Sequence, residues 1–587
     1  MAAREGAKSV FALEEFQPMA ACAERIIEQN GFSENITVIN SRSTLNDHPL
    51  HGLSDILVTE VFDTELIGEG AIETFNHAHE SLLSKDSTVI PHSAMIYALP
   101  VDSEFLWRWN SASHQHLSGF EDSQCAGVPA LHDIQTSRLK PGRDFISIVK
   151  EPVPLMEFNF SKKLLLSEAK SVKLSAERTG QVHALIVWWC LFMDEEKDFV
   201  IDMAPSWFFN KREVPYQWRE HWMQAIYYLP KPVVISEGDL FTISISRDEF
   251  SFWFSINDIA PVSRPHCTCK LHETCSRQRI AALSDDNRNS SYWEALKSLN
   301  LSGKNVIVAS DCGWLPATAA KLGASNVVAI ESNFRNVQFT KHICHRNGLS
   351  DIVHIIKTVD DISHIKTMYN IDSFDAIISE PFFSSTSLQP WNGLHLKSLC
   401  TSISQMIGEL PVIMPCRAVL KCCVVELVDL QKLRNPIEET ICGFNLSQFN
   451  DLTQGAMNHV YNAVEPHSMW EYESFPRSTI YDLAHFNFQG LNNFTERFHN
   501  NEVTFSGAAN AVILWMDYNL VEDTWVSNGT IGELIPTQVI SWCHLSKQGV
   551  YLLPSANKSK PIHSLFITVD TRPINDILSI SCEFSYE

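Results

Sequence analysis

The chain repeats itself. Ala2–Glu14 (AAREGAKSVFALE) lines up with Ala319–Glu331 (AAKLGASNVVAIE), an offset of 331 − 14 = 317. NGFSENI from Asn30 matches NGLSDI from Asn347 at 317, and DILVTE ending at Glu60 matches DAIISE ending at Glu380 at 320. Pro91 in VIPHSA and Pro415 in VIMPCRA give 324. HALIVWW from His183 matches NAVILWM from Asn510 at 327, and QAIYYLP from Gln224 matches QGVYLLP from Gln548 at 324. Six matches in one order, with a slowly drifting frame, require two related modules of about 300 residues and exclude a solenoid, whose period is about 20–50 residues. A chain of 587 residues is also too long for one ordinary core.

Texture changes within each module. The first part alternates short apolar strands (SVFALEE, ITVIN, DILVTE) with a helical stretch, PMAACAERIIEQNGF, which has a proline near its start and a glycine near its end. That alternation predicts a parallel α/β sheet. The second part is strand-rich (MIYALPV, HALIVWWCLFMD, QAIYYLP, FTISISRD, FSFWFSI) and predicts an antiparallel barrel or sandwich. The expected fold class is α/β plus β: a tandem pair of modules, each a Rossmann-like half followed by an antiparallel β-barrel. The expected division is 1–95 and 96–264 for module 1, a linker at 265–290, then 291–410 and 411–587 for module 2.

Four acids, Glu60, Asp63, Glu65 and Glu69, crowd the end of one apolar strand in DILVTEVFDTELIGEGAI. In doubly wound sheets, ligands bind at the carboxyl ends of strands, where an acid commonly holds ribose hydroxyls. Glu14 and Glu60 both stand at such ends. Two carboxylates sharing one pocket repel unless a cation lies between them, and a planar guanidinium suits that place through paired N–H bonds. The acids therefore read as an arginine clamp built on Glu60 and Glu69; the other reading is a solvated acidic loop. The net charge of −24, from 45 basic and 69 acidic residues, repels nucleic-acid phosphate and attracts basic partners.

On these residues the chain resembles the protein arginine methyltransferases, in their two-module, monomethylating (type III) branch. TEVFDTELIGEG is similar to the family's double-glutamate loop, which implies Glu60 and Glu69 as the catalytic pair. REHWMQ is similar to its threonine-His-Trp loop, with Glu220 in place of threonine, which implies His221 and Trp222 at the substrate pocket. The resemblance makes Glu14 the ribose acid and S-adenosyl-L-methionine the cofactor. It implies monomethylation of arginine in arginine-rich basic proteins, histone-like or RNA-binding, with no direct nucleic-acid or membrane binding.

Two departures follow from the repeat frame. After Glu380 comes PFFSSTSLQPW, with no second acid at the matching distance, and the candidate cofactor turn ASDCGW carries one glycine, Gly313. Module 2 is expected to be catalytically silent and to serve as an intramolecular partner, a pseudo-dimer. The counterpart of Ser310 would fall at 310 − 317 = −7, so module 1 is expected to lack its first, central strand and glycine turn. The expected consequence is weak or no transfer by this chain; the alternative function is an inactive truncated form, or a fragment from an incomplete gene model, acting only as a binding scaffold.

HCTCKLHETC packs His266, Cys267, Cys269, His272 and Cys275 into ten residues, a density that suits tetrahedral zinc. The resemblance implies Cys267, Cys269 and His272 as ligands of a structural zinc, with a fourth ligand from Cys275 or from elsewhere; free thiols in a polar linker are the other reading. The opening MAAREGAKSVFALEE lacks a signal-peptide core, and no apolar run reaches the roughly 20 residues of a membrane span. The expected location is intracellular, cytoplasmic and nuclear, with reduced thiols.

Overall fold

The computed structural model describes all residues except 46–53, 121–124, 212–221, 259–263, 310–312, 381–393, 409–410, 458, 460–463, 490–497, 554–563, 571–580 and 587. The chain forms two compact units. Unit 1 contains Met1–Glu104, Pro129–His266 and Lys432–Tyr461; unit 2 contains Phe105–Val128, Cys267–Gln431 and Asn462–Glu587.

Unit 2 holds a five-stranded parallel sheet in the order Val353–Ile356, Asn326–Ile330, Asn305–Ala309, Ala376–Ser379, Val412–Met414. This is the 3-2-1-4-5 order of a Rossmann-like half. Its central strands, NVIVA and NVVAI, are continuous β-branched runs because helices cover both faces and leave no solvent side to alternate with. The helix Phe334–Arg346 starts where the Asn333 side chain accepts the Arg335 N–H. The stretch 265–290, expected as a linker, forms the helices Leu271–Thr274 and Arg277–Leu283 and the start of Asp286–Ser298.

In unit 1 the corresponding strands stand as two separate parallel ladders. Val10–Leu13 pairs with Ile36–Ile39, and Ser54–Val58 pairs with Leu83–Ile90. No strand joins the two ladders among the described residues, and Ile56 and Val58 are 59% and 66% exposed. The helix Gln17–Gln29 has Pro18 in its first turn and Gly31 just past its end, as the sequence suggests.

The β-rich parts are antiparallel. In unit 1 the long strand Gly180–Phe192 lies between Ser93–Asp102 and Ala225–Ile235 in a six-stranded sheet, and Leu240–Arg247 centres a three-stranded one. In unit 2 Ala511–Val521 lies between Arg417–Leu427 and Gln548–Leu552 in a seven-stranded sheet, accompanied by a three-stranded one. Among the described residues the ladders are open antiparallel sheets.

Each unit includes a segment from the opposite half of the sequence, and each holds it the same way. In unit 1 the Asn30 amide bonds the backbone of Asn445 in both directions, at 2.9 and 2.8 Å. Phe32 faces Phe444, over which Arg4 also stacks. In unit 2 the Asn347 amide bonds the backbone of Ser118 in both directions, at 2.8 and 3.0 Å. Asn30 and Asn347 are counterparts at the repeat offset of 317.

Candidate functional site

The acid-rich segment of unit 1 runs from the strand Ser54–Val58 to the helix Ala71–His77. It is fastened at its middle by apolar side chains: Phe62, Leu66 and Ile67 are buried. Three aromatic residues of the β-rich part hold it from below. Trp189 Nε1 donates to the Asp63 carbonyl at 2.9 Å, and Trp222 Nε1 donates to the Phe62 carbonyl at 2.9 Å. The two indoles meet edge to face at 5.3 Å, and the Tyr227 hydroxyl donates to Glu65.

This anchoring sorts the four acids. Asp63 turns back on its own loop, accepting the Gly68 N–H at 3.0 Å. A Cβ at Gly68 would lie 2.1 Å from that carboxylate, so only glycine fits. Glu65 is buried and accepts from Tyr227, Ser251 Oγ at 2.9 Å and Phe252 N at 3.5 Å. Glu60 and Glu69, at the two ends of the loop, are exposed. The sequence-predicted pair is therefore the pair displayed to solvent, and the remaining two acids are structural.

Trp222 thus anchors the loop. His221 lies outside the described residues. Glu14 ends the strand Val10–Leu13; one carboxylate oxygen accepts the Phe16 N–H at 2.8 Å, and Asn40 Nδ2 donates to its backbone carbonyl at 2.8 Å. It remains partly exposed. In unit 2 the counterpart acid, Glu331, is buried and accepts from Gly313 N at 3.3 Å and Thr340 Oγ1 at 3.1 Å.

Burial raises the pKa of both Glu65 and Asp63, by taking carboxylates out of water. Burial beside Glu65 pushes the Tyr227 phenol well above its usual value, which keeps it a donor. Because the folded chain holds the Glu65 proton more tightly than the unfolded chain, its stabilising contribution is full below the ordinary carboxylate range and is lost as pH rises through the raised value. Glu65→Gln keeps an acceptor for Tyr227 and Ser251 and removes the charge. It is expected to flatten the decline of Tm as pH rises above the ordinary carboxylate range; melts with the parent's slope would contradict this.

A second constellation lies wholly in unit 2. Cys125, Cys267, Cys269 and His272 bring their ligand atoms within 4.8 Å of one another. The sulfur–sulfur distances are 3.3, 3.6 and 3.9 Å, and the sulfur–Nδ1 distances are 3.2, 3.2 and 3.9 Å. A tetrahedral zinc with its usual bond lengths asks for about 3.8 Å and 3.5 Å respectively, so the donor set fits. His272 Nε2 donates to the Asn110 carbonyl at 2.8 Å, which leaves the Nδ1 lone pair for a metal. Asn110 Nδ2 holds the Cys125 carbonyl at 3.0 Å, and the Arg277 guanidinium fastens Asn110 Oδ1 and the Val128 carbonyl. Gly127 lies against the His272 ring, with φ of 65° and room for no side chain. Hydrogen bonding from Cys269 and His272 holds the Cys125 thiol far below its usual range, and the same contact pushes Cys269 up.

The fourth member of the cluster is Cys125, 142 residues before Cys267 in sequence. Cys275 is instead buried in the apolar core with Leu271 and Ile280. Cys125 has no local motif; its only sequence signal is being one of 15 cysteines.

Residues 92–259 match the profile of the arginine methyltransferase oligomerization subdomain. Three curated relatives, each called protein arginine N-methyltransferase 7, align along nearly the whole chain. That of Danio rerio is 32% identical over 95% of this chain and 84% of its own length. That of Mus musculus is 32% identical over 99% and 85%, and that of Rattus norvegicus 31% identical over 100% and 87%.

Proposed function

This chain belongs to the protein arginine N-methyltransferase 7 family, and from that premise we propose that it transfers one methyl group from S-adenosyl-L-methionine to an arginine of a basic, arginine-rich protein. The observation that carries the proposal is the loop after the strand Ser54–Val58, which hides two of its acids and displays Glu60 and Glu69.

A free guanidinium has a pKa of about 12.5–13.8 and delocalised lone pairs, so it is a poor nucleophile. Glu60 and Glu69 take the role of the clamp: paired carboxylates draw positive charge toward the nitrogens they hold and leave the remaining nitrogen richer in electrons. Alignment supplies the rest, worth about 7 kcal/mol or more when the reacting atoms are held near 3–3.5 Å. Trp222 and Trp189 supply that rigidity through the carbonyls of Phe62 and Asp63, and His221 is assigned to the substrate pocket on the family resemblance alone. Glu14 fits a ribose-hydroxyl acceptor, because its carboxylate is partly exposed at a strand end with a single backbone donor on one oxygen. The bound cofactor supplies the sulfonium methyl.

In this reading the chain is a tandem pair of modules, each a Rossmann-like half followed by a barrel-type β half. The second module is the silent partner of an intramolecular pseudo-dimer, supported by the matching grip of Asn30 and Asn347 on the exchanged segments. Zinc at Cys125, Cys267, Cys269 and His272 is structural. Substrates are histone-like or RNA-binding proteins, drawn to a chain of net charge −24, and the protein works in the cytoplasm and nucleus. The test is product analysis: arginine-rich peptide is incubated with the protein and S-adenosyl-L-methionine and digested to amino acids, and whatever methylarginine forms is expected to be monomethylarginine alone. Dimethylarginine among the products would refute the single-methyl assignment.

A further inference from the structure

The strand Ala376–Ser379 of unit 2 runs into Glu380, the repeat counterpart of Glu60. Glu60 is exposed; Glu380 is 1% exposed, and both its oxygens are engaged. Arg279, fully buried on the helix Arg277–Leu283, grips it in parallel, Nη2 to Oε2 at 2.8 Å and Nη1 to Oε1. Trp314 Nε1 donates to Oε2 at 2.8 Å. Arg288, on the helix Asp286–Ser298, donates from Nη2 to Oε1. The Arg288 guanidinium lies 4.8 Å from the centre of the Tyr292 ring and 5.8 Å from that of Trp314. A strand-end carboxylate thus holds planar cations beside aromatic rings, and the cations are the chain's own.

The two arginines differ in their relation to solvent. Arg279 is sealed in, whereas the Arg288 side chain is 12% exposed and lines an open cavity of about 350 Å³ with Asp285, Ser291, Tyr518, Trp525 and His544. Arg288 Nη1 and the Tyr518 hydroxyl are buried there without a hydrogen-bond partner. Arg288 therefore stands between the cavity and Glu380. If it is removed, the neutral Arg279–Glu380 pair remains beneath a vacancy with aromatic walls and with Asp285 on its rim.

We propose that Arg288 is a built-in occupant of a guanidinium site, seated on Glu380 where an arginine side chain would otherwise sit. The second half is then closed to substrate by its own residue, in addition to lacking a second acid. This rests on the reading of that half as the silent counterpart of the first. The site remains a guanidinium site in chemistry: emptied, it should take a guanidinium cation from solution in preference to an ammonium, because only the former offers a planar face and paired donors.

The test uses the whole chain. Arg288→Ala should melt at lower temperature than the parent, and about 20 mM methylguanidinium should raise its Tm by about 2–4 °C beyond the effect of equimolar methylammonium. The parent should show no such difference, and Arg288→Ala combined with Glu380→Gln should lose it. An equal response of parent and variant, or a response that survives Glu380→Gln, would overturn the proposal. Should Arg288→Ala fail to fold, phenylglyoxal labelling of the parent decides: Arg279 and Arg288 should resist while exposed Arg178 reacts, and labelling of Arg288 at the rate of Arg178 overturns the assignment. Residual methyl transfer in Glu60→Gln judges the silence of the second half separately, so the two ideas fail by different measurements.

Discussion

Glu60→Gln is expected to lower kcat/KM for arginine methylation by about 10²–10³-fold, the range seen when one preorganised electrostatic partner is removed from a reacting centre. The substitution preserves shape and one acceptor oxygen, so what it removes is charge. Glu60 is exposed, lies beyond the last residue of its strand, and bears none of the loop's anchoring bonds. Tm should therefore stay within about 1–2 °C of the parent, as for a surface substitution. Glu69→Gln should behave alike, since in the proposed clamp each carboxylate holds a different edge of the same guanidinium. The two together should lose little more than either alone, because a clamp with one jaw already fails to hold. Retention of more than a tenth of the activity in Glu60→Gln, with the fold intact, would remove the clamp from the mechanism. Glu65→Gln, by contrast, changes stability through a buried carboxyl.

Cys125→Ser is expected to drop bound zinc from one equivalent per chain to below half, and Cys275→Ser to leave it at one. Four-coordinate structural zinc contributes folding free energy outright, with apparent values of about 10–16 kcal/mol in isolated zinc-finger peptides. The share visible here is smaller, because Asn110, Arg277 and the core around Leu271 hold the same region in place. A Tm loss of several degrees, reproduced by chelation of the parent, is the expected scale. Zinc retained in Cys125→Ser, or absent from the parent, would sink the assignment. Cys125 belongs to the segment Phe105–Val128, whereas its three partners follow His266, so the metal would tie chain that is distant in sequence to one spot.

What could be read before folding, and what could not, divides along the range of the interaction. The parallel sheet of unit 2 was legible because NVIVA and NVVAI are local apolar, β-branched runs. Glu60 stood out because an acid follows an apolar strand directly. The burial of Glu65 did not, since it depends on Tyr227 and Ser251, more than 150 residues away. The stretch 265–290 looked like polar punctuation because buried arginines are indistinguishable from exposed ones until Glu380, 101 residues beyond Arg279, is in place. Cys125 was silent for the same reason: spacing rules capture ligands that share a turn and miss one that arrives from another part of the chain.

The exchanged segments also fix an order of events. Unit 1 ends its own β-rich part near His266, yet includes Lys432–Tyr461. A ribosome making this chain must therefore add 461 − 266 = 195 residues after His266 before the first unit has all its parts, roughly ten seconds or more at ordinary elongation rates. During that interval Asn30 and Phe32, just past the helix Gln17–Gln29, wait for Asn445 and Phe444. Synthesis, and not the catalytic loop alone, determines when this protein can first begin to work.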